Sequence, residues 1–180
     1  MKKILIVSLL IFTLVGCGFK KTPSDKVEKY LDNYVSLSED VNMDLDTTIK
    51  GENLSETNAS IYKEVLQKQY KNLKYEIKDE MVDGKDATVI VKITVYDLYK
   101  SGKESDEYMN DHTNEFNDEN NMFDLDKFNK YKLENMLKMN DTIDYEITFK
   151  LTKSSGEWVI EEPNREVLSK IHGLYDYEND

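Results

Sequence analysis

The segment "ATVIVKITVY", residues 87–96, decides the fold class of this chain. Its apolar residues recur at every second position, which predicts a β-strand with one buried face. That face holds Ala87, Val89, Val91, Ile93 and Val95, and the other face holds Thr88, Lys92 and Thr94, with Ile90 and Tyr96 as exceptions. Asp83-Gly84 in the preceding "VDGKD" predicts a hairpin turn, because glycine adopts a positive φ at little cost. An antiparallel hairpin is therefore expected here.

A second hairpin is predicted from "TIDYEITFKL", residues 142–151. Ile143, Tyr145, Ile147, Phe149 and Leu151 alternate with Asp144, Glu146, Thr148 and Lys150. The turn lies in "TKSSGE", and "EWVIEE" returns with Trp158 and Ile160 on the covered face. Together the two hairpins predict a curved antiparallel sheet of about four strands with one face covered.

Apolar residues at helical spacing predict four helices around this sheet. The expected segments are 24–37, with Ser24 as N-cap; 59–73; 123–139, with Leu125, Phe128, Leu133, Met136 and Leu137 inward; and 165–172, capped by Asn164 and ended by Gly173. Residues 39–58 are expected to form a loop or a partly helical linker, and residues 100–121 a loop or a solvated helix. The tail from Tyr175 is expected to fray. Helices packed on a sheet give an α+β domain over residues 24–180.

The first residues, "MKKILIVSLLIFTLVGC", have the pattern of a secretory signal. Lys2 and Lys3 precede an apolar run that ends at Val15, and such a run is about 18 Å long as a helix. The hydrocarbon core of a bilayer is about 30 Å thick, so the run is too short to span it comfortably. A charged start, a short apolar middle and small residues at its end are typical of a signal peptide that is removed.

The end of the signal, "LVGC" at residues 14–17, resembles the lipobox of bacterial lipoproteins. That resemblance implies attachment of a diacylglyceryl group, with fatty chains such as palmitate, to the sulfur of Cys17. It also implies cleavage before Cys17, which leaves residues 1–16 as signal peptide and residues 17–23 as a lipidated tether. Two or more acyl chains give a stable membrane anchor, at about 0.8 kcal/mol per buried methylene.

The charge balance argues against nucleic acid as a partner. The whole chain carries a net charge of −12. Without Lys2 and Lys3 it has 22 basic and 36 acidic residues, which gives a net charge of −14. Nucleic-acid binding depends on Lys and Arg, so it is not expected. Arg165 is the single arginine of the chain, and Cys17 is its single cysteine. Once Cys17 is lipidated no thiol remains, so the exported domain is expected to fold without disulfides.

Several segments carry the resemblance to a wider family. The lipobox, "TPSDKVEKYLDNYVSL", "YEIKDEMVDGKDATVIVKITVYD" and "YEITFKLTKSSGEWVIEE" follow one another as in small Gram-positive lipoproteins of the nuclear-transport-factor-2-like, cystatin-like superfamily. The resemblance implies a curved sheet wrapped around helices, a cone with a possible pocket. It implies no activity, because that fold hosts enzymes, binding modules and scaffolds alike.

Few residues stand out as candidates for chemistry. Asp111, His112 and Glu115 lie close together in sequence and suggest a proton carrier or two metal ligands, although a solvated polar segment is the preferred explanation. His172 is expected to interact with the last carbonyls of its helix. Asp118, Glu119, Asp124 and Asp126 suggest a weak cation site, and Tyr30, Tyr34, Tyr62, Tyr70, Tyr96 and Tyr145 suggest a pocket lining or a half-buried core.

The sequence leaves three hypotheses of function. The first is a non-enzymatic lipoprotein without a cofactor, held on the outer face of the cell membrane, whose domain binds a small ligand or an envelope protein. The second is an enzyme that uses a pocket in the cone for proton transfer, with His112 or a buried carboxylate as proton carrier. The third is an interaction scaffold without a pocket. A cavity, its ionisable groups and any exposed apolar patch would distinguish them.

Overall fold

The computed structural model describes residues 21–179 as one α+β arrangement, which confirms the predicted fold class. Four antiparallel strands lie in the order β1 (Lys74–Asp83), β2 (Asp86–Tyr96), β3 (Thr142–Ser154) and β4 (Glu157–Ile160). Both predicted hairpins are present. The turn after β1 contains Gly84 at φ 60°, and the turn after β3 contains Gly156 at φ 88°. The lipidation site Cys17 and the signal peptide lie outside the described residues.

Six α-helices accompany the sheet. They are α1 (Pro23–Val35), α2 (Glu39–Gly51), α3 (Glu56–Lys71), α4 (Leu98–Asp111), α5 (Leu125–Lys138) and α6 (Arg165–His172), with a short 3₁₀ helix at Thr113–Phe116. The cap of α6 is as predicted, since Asn164 Oδ1 accepts a hydrogen bond from Val167 N at 2.9 Å and Gly173 ends the helix in the left-handed conformation. Within residues 21–179, no helix is long and apolar enough to cross a membrane.

The two faces of the sheet divide as the alternation predicts. Val91 of β2 pairs with Ile147 of β3, and both are buried under the helices. On the opposite face Lys92 Nζ lies 2.7 Å from Asp144 Oδ2, and both side chains are about half exposed. The face is polar because its residues remain in water, and cross-strand pairs of opposite charge stabilise such a surface modestly.

Two hydrophobic clusters hold the helices. The main cluster joins the inner face of the sheet to α1, α2, α3 and α6, and includes Leu31, Leu45, Leu66, Phe149 and Ile171. The second cluster joins α3, α4 and α5 through Val65, Leu98, Leu133 and Met136. Helix α3 contributes to both clusters and therefore couples the sheet half of the molecule to the α4–α5 half.

Several predicted boundaries were wrong for identifiable reasons. Helix α1 begins two residues earlier than predicted: Thr22, not Ser24, is the N-cap, and it forms a capping box with Asp25. Residues 39–51 form a complete helix rather than a loop or a partly helical linker, because Val41, Leu45 and Ile49 bury one narrow face. Residues 98–111 form a helix, one of the two alternatives predicted for this region, but the helix is not fully solvated, since Leu98 and the small residues Ser101, Gly102 and Ser105 are buried.

Two further expectations fail at the ends of elements. Leu125, predicted to point inward, is the first residue of α5 and is 61% exposed. The C-terminal tail does not fray as expected, because Tyr177 Oη donates to Asp97 Oδ2 at 3.1 Å and the Tyr177 ring packs edge-on against Tyr99. Both differences depend on tertiary contacts that periodicity alone does not report.

Candidate functional site

A cleft of about 320 Å³ opens between helices α1, α2, α3 and α6. Tyr34 of α1, Asp44 of α2, Tyr70 of α3 and His172 of α6 line it, together with Glu162 from the segment that follows β4. The cleft therefore collects polar side chains from five separate parts of the chain. This convergence in a concave site is the usual mark of a ligand-binding pocket.

Helix α2 forms one wall of the cleft. Ser38 caps the helix, since its Oγ accepts a hydrogen bond from Val41 N at 3.4 Å, and Val41 and Leu45 anchor the buried face. Asp44, Thr47 and Thr48 line the cleft from the same helix. Because residues three and four positions apart lie on one side of a helix, the spacing of these three polar residues places them together.

A tight corner between α1 and α2 fixes this wall. Leu37 adopts a left-handed conformation with φ 50°, which is uncommon for a bulky residue. Asn42 Nδ2 donates to Leu37 O at 2.6 Å, and Leu37 N donates to Tyr34 O at 3.0 Å. These hydrogen bonds compensate for the backbone strain and hold α2 against the end of α1.

Aromatic rings form the floor of the cleft. Tyr34 packs edge-on against Tyr70, with ring centroids 5.0 Å apart, and Tyr70 lies 5.7 Å from His172. Behind them Tyr30 packs against Phe149 of the main core at 5.5 Å, and the hydroxyls of Tyr30 and Tyr34 lie 3.2 Å apart. The floor is thus continuous with the core under the sheet, which gives it a rigid support.

Several polar groups of the cleft lack a protein partner within the described residues. The Tyr70 side chain is only 3% exposed, yet its hydroxyl makes no hydrogen bond to any residue in 21–179. The same holds for the His172 imidazole and for the carboxylates of Asp44 and Glu162. The hydroxyl of Tyr70 is thus open to the cleft, where water or a ligand can pair with it.

Burial sets the protonation states on the floor. Burial lowers the pKa of His172 to about 4, so its imidazole is neutral at pH 7. Burial raises the pKa of Tyr70 far above its usual range, and Tyr34, Tyr62 and Asp44 add to that shift. The floor is therefore uncharged, and the formal charge of the cleft comes from Asp44 and Glu162, which are exposed at its rim.

The role of His172 differs from the one predicted. The residue does end α6 beside Gly173, but its neutral ring packs against Tyr70 and lines the cleft. A charged imidazole would be needed for a favourable interaction with the helix dipole. His172 therefore belongs to the cleft rather than to a helix cap.

The other histidine, His112, does not line the cleft. His112 Nδ1 lies 3.0 Å from Tyr108 O, and its ring stacks on the Tyr108 ring with centroids 4.0 Å apart. Glu115 does not face His112 as a partner; its Oε2 accepts a hydrogen bond from Tyr108 Oη at 3.0 Å. The structure thus gives these residues local partners at the end of α4 and does not assemble them into a proton-transfer pair.

The acidic residues after the 3₁₀ helix have separate structural roles. Asp118 Oδ1 accepts hydrogen bonds from the backbone amides of Asn120 and Met122, each at 2.8 Å. Asp124 caps α5, and Asp126 Oδ1 accepts from Asn58 Nδ2 at 2.7 Å. Within residues 21–179 no group of three or more His, Cys, Asp and Glu side chains is arranged to hold a metal ion.

The predicted tyrosine lining is present in part. Tyr34 and Tyr70 line the cleft, with Tyr30 directly behind them. Tyr96 lies elsewhere, under the Lys68 ammonium at 4.6 Å, and Tyr145 packs against Tyr175 at 5.6 Å. The tyrosines are therefore divided between the cleft and ordinary core packing.

Comparisons with known proteins add little to this geometry. No protein-family model matches the chain, and no curated protein matches it. Among solved structures it is similar to a proposed lipoprotein, YcdA of Bacillus subtilis, with a TM-score of 0.45 and 12% identity. The alignment covers 84% of this chain but 47% of the other, so the chain spans about half the length of that protein. A likeness this distant carries no argument about function, and the predicted superfamily stays a prediction.

Sequence reasoning missed the two carboxylates of the cleft. Asp44 lies in the segment expected to be a loop or a partly helical linker, and Glu162 follows a strand without a recognisable motif. A signal for the α2 wall does exist in the sequence: Val41, Leu45 and Ile49 recur at four-residue spacing behind Ser38, a good N-cap. Nothing local predicts that Glu162 faces α2, because that proximity arises from the path of the chain after β4.

Proposed function

We propose that this chain is a lipid-anchored protein on the outer face of the cell membrane, and that its domain binds a small ligand in the cleft. In this proposal Cys17 carries the anchor, the protein is not an enzyme, and it needs no cofactor. The Tyr70 hydroxyl, which lines the cleft and has no partner among the described residues, is the observation that carries the binding part. The lipobox resemblance carries the anchoring part.

The anchor is supported by the order of features at the N-terminus. A charged start, a short apolar run and "LVGC" follow one another in the register that lipoprotein processing requires. Helix α1 begins at Pro23, six residues after Cys17, and such a tether extends to at most about 20 Å. The domain would therefore remain close to the membrane surface, within reach of envelope components.

Ligand binding is supported by the energetics of the cleft floor. The Tyr70 hydroxyl lines the cleft without a protein partner among residues 21–179, and a bound molecule that pairs with it would gain a hydrogen bond worth about 0.5–1.5 kcal/mol net. The neutral imidazole of His172, which can donate or accept, lies beside it in the same cleft. The volume, about 320 Å³, is at the lower end of the range of ligand pockets, which favours a small molecule.

Catalysis by proton transfer is the second candidate, because a histidine and two carboxylates line one cleft. Efficient general acid–base catalysis needs a pKa near the working pH, and burial lowers the pKa of His172 to about 4. No carboxylate within residues 21–179 hydrogen-bonds its ring to orient it. Both facts favour binding over catalysis.

A scaffold role has one observation in its favour. Met122, Phe123 and Leu125 are exposed close together at the start of α5, by 67%, 43% and 61%. Exposed apolar groups of this kind can form part of a protein contact. The cleft carries more independent features, so ligand binding is preferred.

Lipidation is tested by labelling cells with a fatty-acid analogue and isolating the protein. We expect the wild type to carry the label and Cys17→Ala to lose it and accumulate as the uncleaved precursor, because the sulfur is the acceptor. Ser8→Ala changes the apolar run without touching Cys17 and should be labelled normally. Label on Cys17→Ala, or wild-type protein recovered from the cytosol, would contradict the anchor.

Ligand binding is tested by denaturing purified protein and identifying released small molecules by mass spectrometry. Thr48→Trp places a bulky ring in the mouth of the cleft and should abolish recovery of the compound. Met43→Trp lies on the same helix, is equally exposed and does not line the cleft, so it should retain the compound. Equal recovery from both variants would refute the cleft, and conversion of the compound by wild type but not by His172→Gln would favour the enzyme.

A further inference from the structure

We infer that the cleft selects a small organic cation with N–H donors, such as an alkylammonium or a guanidinium compound. This inference rests on the proposed binding function and specifies its ligand class. It follows from the charge of the rim, the acceptors on the floor and the arrangement of carboxylates.

The rim fixes the sign of the ligand charge. Asp44 and Glu162 lie at the mouth, and no lysine or arginine is among the described residues that line the cleft. Two carboxylates without a basic neighbour in the lining repel an anion and attract a cation. The net charge of −12 over the whole chain acts in the same direction, and steers cations toward the surface.

The floor favours a ligand that donates hydrogen bonds and is organic. Tyr34 and Tyr70 present aromatic groups, which attract ammonium and guanidinium ions. The Tyr70 oxygen and one nitrogen of the neutral His172 ring can each accept a hydrogen bond. An N–H cation would supply donors to these atoms and to the rim carboxylates, whereas a quaternary ammonium ion has no N–H to give.

A metal ion fits the cleft poorly. Only two carboxylates and one imidazole line it, and no group of three or more His, Cys, Asp and Glu side chains within 21–179 is arranged to hold a metal. The cleft is also far larger than a single ion, and apolar side chains of Val41, Leu45 and Leu168 form part of its wall. An organic cation uses both the charged rim and this apolar surface.

The charge requirement is tested by calorimetric titration of the mature protein with matched four-carbon probes. We expect n-butylammonium to bind saturably, and butan-1-ol and butyrate to bind at least about tenfold more weakly. Added salt should weaken the binding of butylammonium. Tetramethylammonium should also bind about tenfold more weakly, because it lacks N–H donors. Equal binding of butan-1-ol would overturn the charge requirement, and equal binding of tetramethylammonium would overturn the donor requirement.

The position of the site is tested with two charge-matched double variants. The double variant Asp44→Asn with Glu162→Gln removes both rim carboxylates and should lower the affinity for butylammonium by at least about tenfold. Asp46→Asn with Glu161→Gln makes the same change of net charge just outside the cleft, where these residues bond to Lys63 and Thr152. The control should bind normally, and equal loss in both doubles would assign the effect to diffuse charge.

The outcomes separate this inference from the proposed function. If the compound released from wild-type protein is neutral or anionic and Thr48→Trp loses it, the cleft binds a ligand but the cation assignment is wrong. If butylammonium does not bind and no compound is released, both are wrong. Thermal unfolding of each variant shows whether a loss of binding reflects a loss of folded protein.

Discussion

The two aromatic clusters of the molecule differ in how their polar groups are satisfied. In the α4–α5 half, Tyr108 pairs with Glu115, and His112 pairs with the Tyr108 carbonyl in an exposed stack. In the cleft, Tyr70 and His172 make a looser, tilted ring contact and have no hydrogen-bond partner for their side-chain polar atoms among residues 21–179. The first cluster is complete in itself, whereas the second leaves donors and acceptors available to a ligand.

This difference shows why sequence neighbours are a poor guide to reactive histidines. His112 has acidic neighbours in the chain, and the sequence therefore suggests it, or a buried carboxylate, as the proton carrier under the enzyme hypothesis. His172 has the unremarkable sequence of a helix end, yet α1, α2 and α3 enclose it with aromatic and acidic groups. Burial and convergence of distant segments, rather than local composition, distinguish the two residues.

The largest expected effect compares two residues that the sequence predicts to point inward. Ile147 is 2% exposed in the main core, and Leu125 is 61% exposed at the start of α5. Ile147→Asp should lower the free energy of unfolding by more than about 4 kcal/mol, because it buries an unpaired charge. Leu125→Asp should change it by less than about 1 kcal/mol, since water and the helix N-terminus accommodate a carboxylate.

Urea unfolding of both variants measures this contrast. A wild-type midpoint for Ile147→Asp would mean that the covered face of β3 is assigned wrongly. A large loss for Leu125→Asp would mean that the apolar group around Phe123 is covered by something in solution, which would favour the scaffold hypothesis. The pair thus tests both the core and the second candidate surface.

The next effect separates the two histidines by pH. Burial holds the pKa of His172 at about 4, below the 6.5 of an unfolded histidine, so the unfolded chain binds more protons between these values. Stability should therefore fall as pH drops from about 6.5 to 4, by about 3 kcal/mol from this residue alone. His172→Gln should lose that part of the pH dependence.

The matched control is His112→Gln, which changes the exposed histidine in the α4–α5 half. Its urea midpoint should follow the wild-type pH profile, because both proteins keep His172. The carboxylates of Asp44 and Glu162 face the same cleft, but they are present in all three proteins, so their contribution cancels in the comparison. If His172→Gln retains the full wild-type slope between pH 6.5 and 4, the imidazole is not buried in the neutral form.

Much of the fold was predictable because its signals are local. The strict alternation in β2 and β3, the Asp83-Gly84 turn and the Asn164 cap each specify one element, and all of them are present. Helices α2 and α4 were harder to predict because their buried faces are narrow or small. Helix α4 approaches α5 closely at Gly102, where a Cβ would lie only 2.9 Å from Met136 Cε. A contact face made of such small residues gives no apolar pattern in the sequence.

The site was less predictable than the fold. Tyr34 and Tyr70 were expected among pocket residues, but nothing in the local sequence brings Asp44 and Glu162 to one mouth. Their proximity requires α2 to be a helix, the α1–α2 corner to turn at Leu37 and the chain to pass α2 after β4. These conditions depend on how distant segments pack together, so the site cannot be located from the sequence when helix α2 is not predicted.

The smallest expected effect tests whether the cleft really leaves a hydroxyl unpaired. Tyr70→Phe removes an oxygen that has no protein partner within 21–179, so stability should stay within about 0.5 kcal/mol or rise slightly. Tyr108→Phe removes an exposed hydroxyl that donates to Glu115 and should lower the thermal midpoint slightly. Thermal unfolding of ligand-free protein compares them; a loss above about 1.5 kcal/mol for Tyr70→Phe would show that the hydroxyl already has a partner. The floor would then resemble the self-contained α4–α5 cluster, and the reason to expect a ligand would disappear.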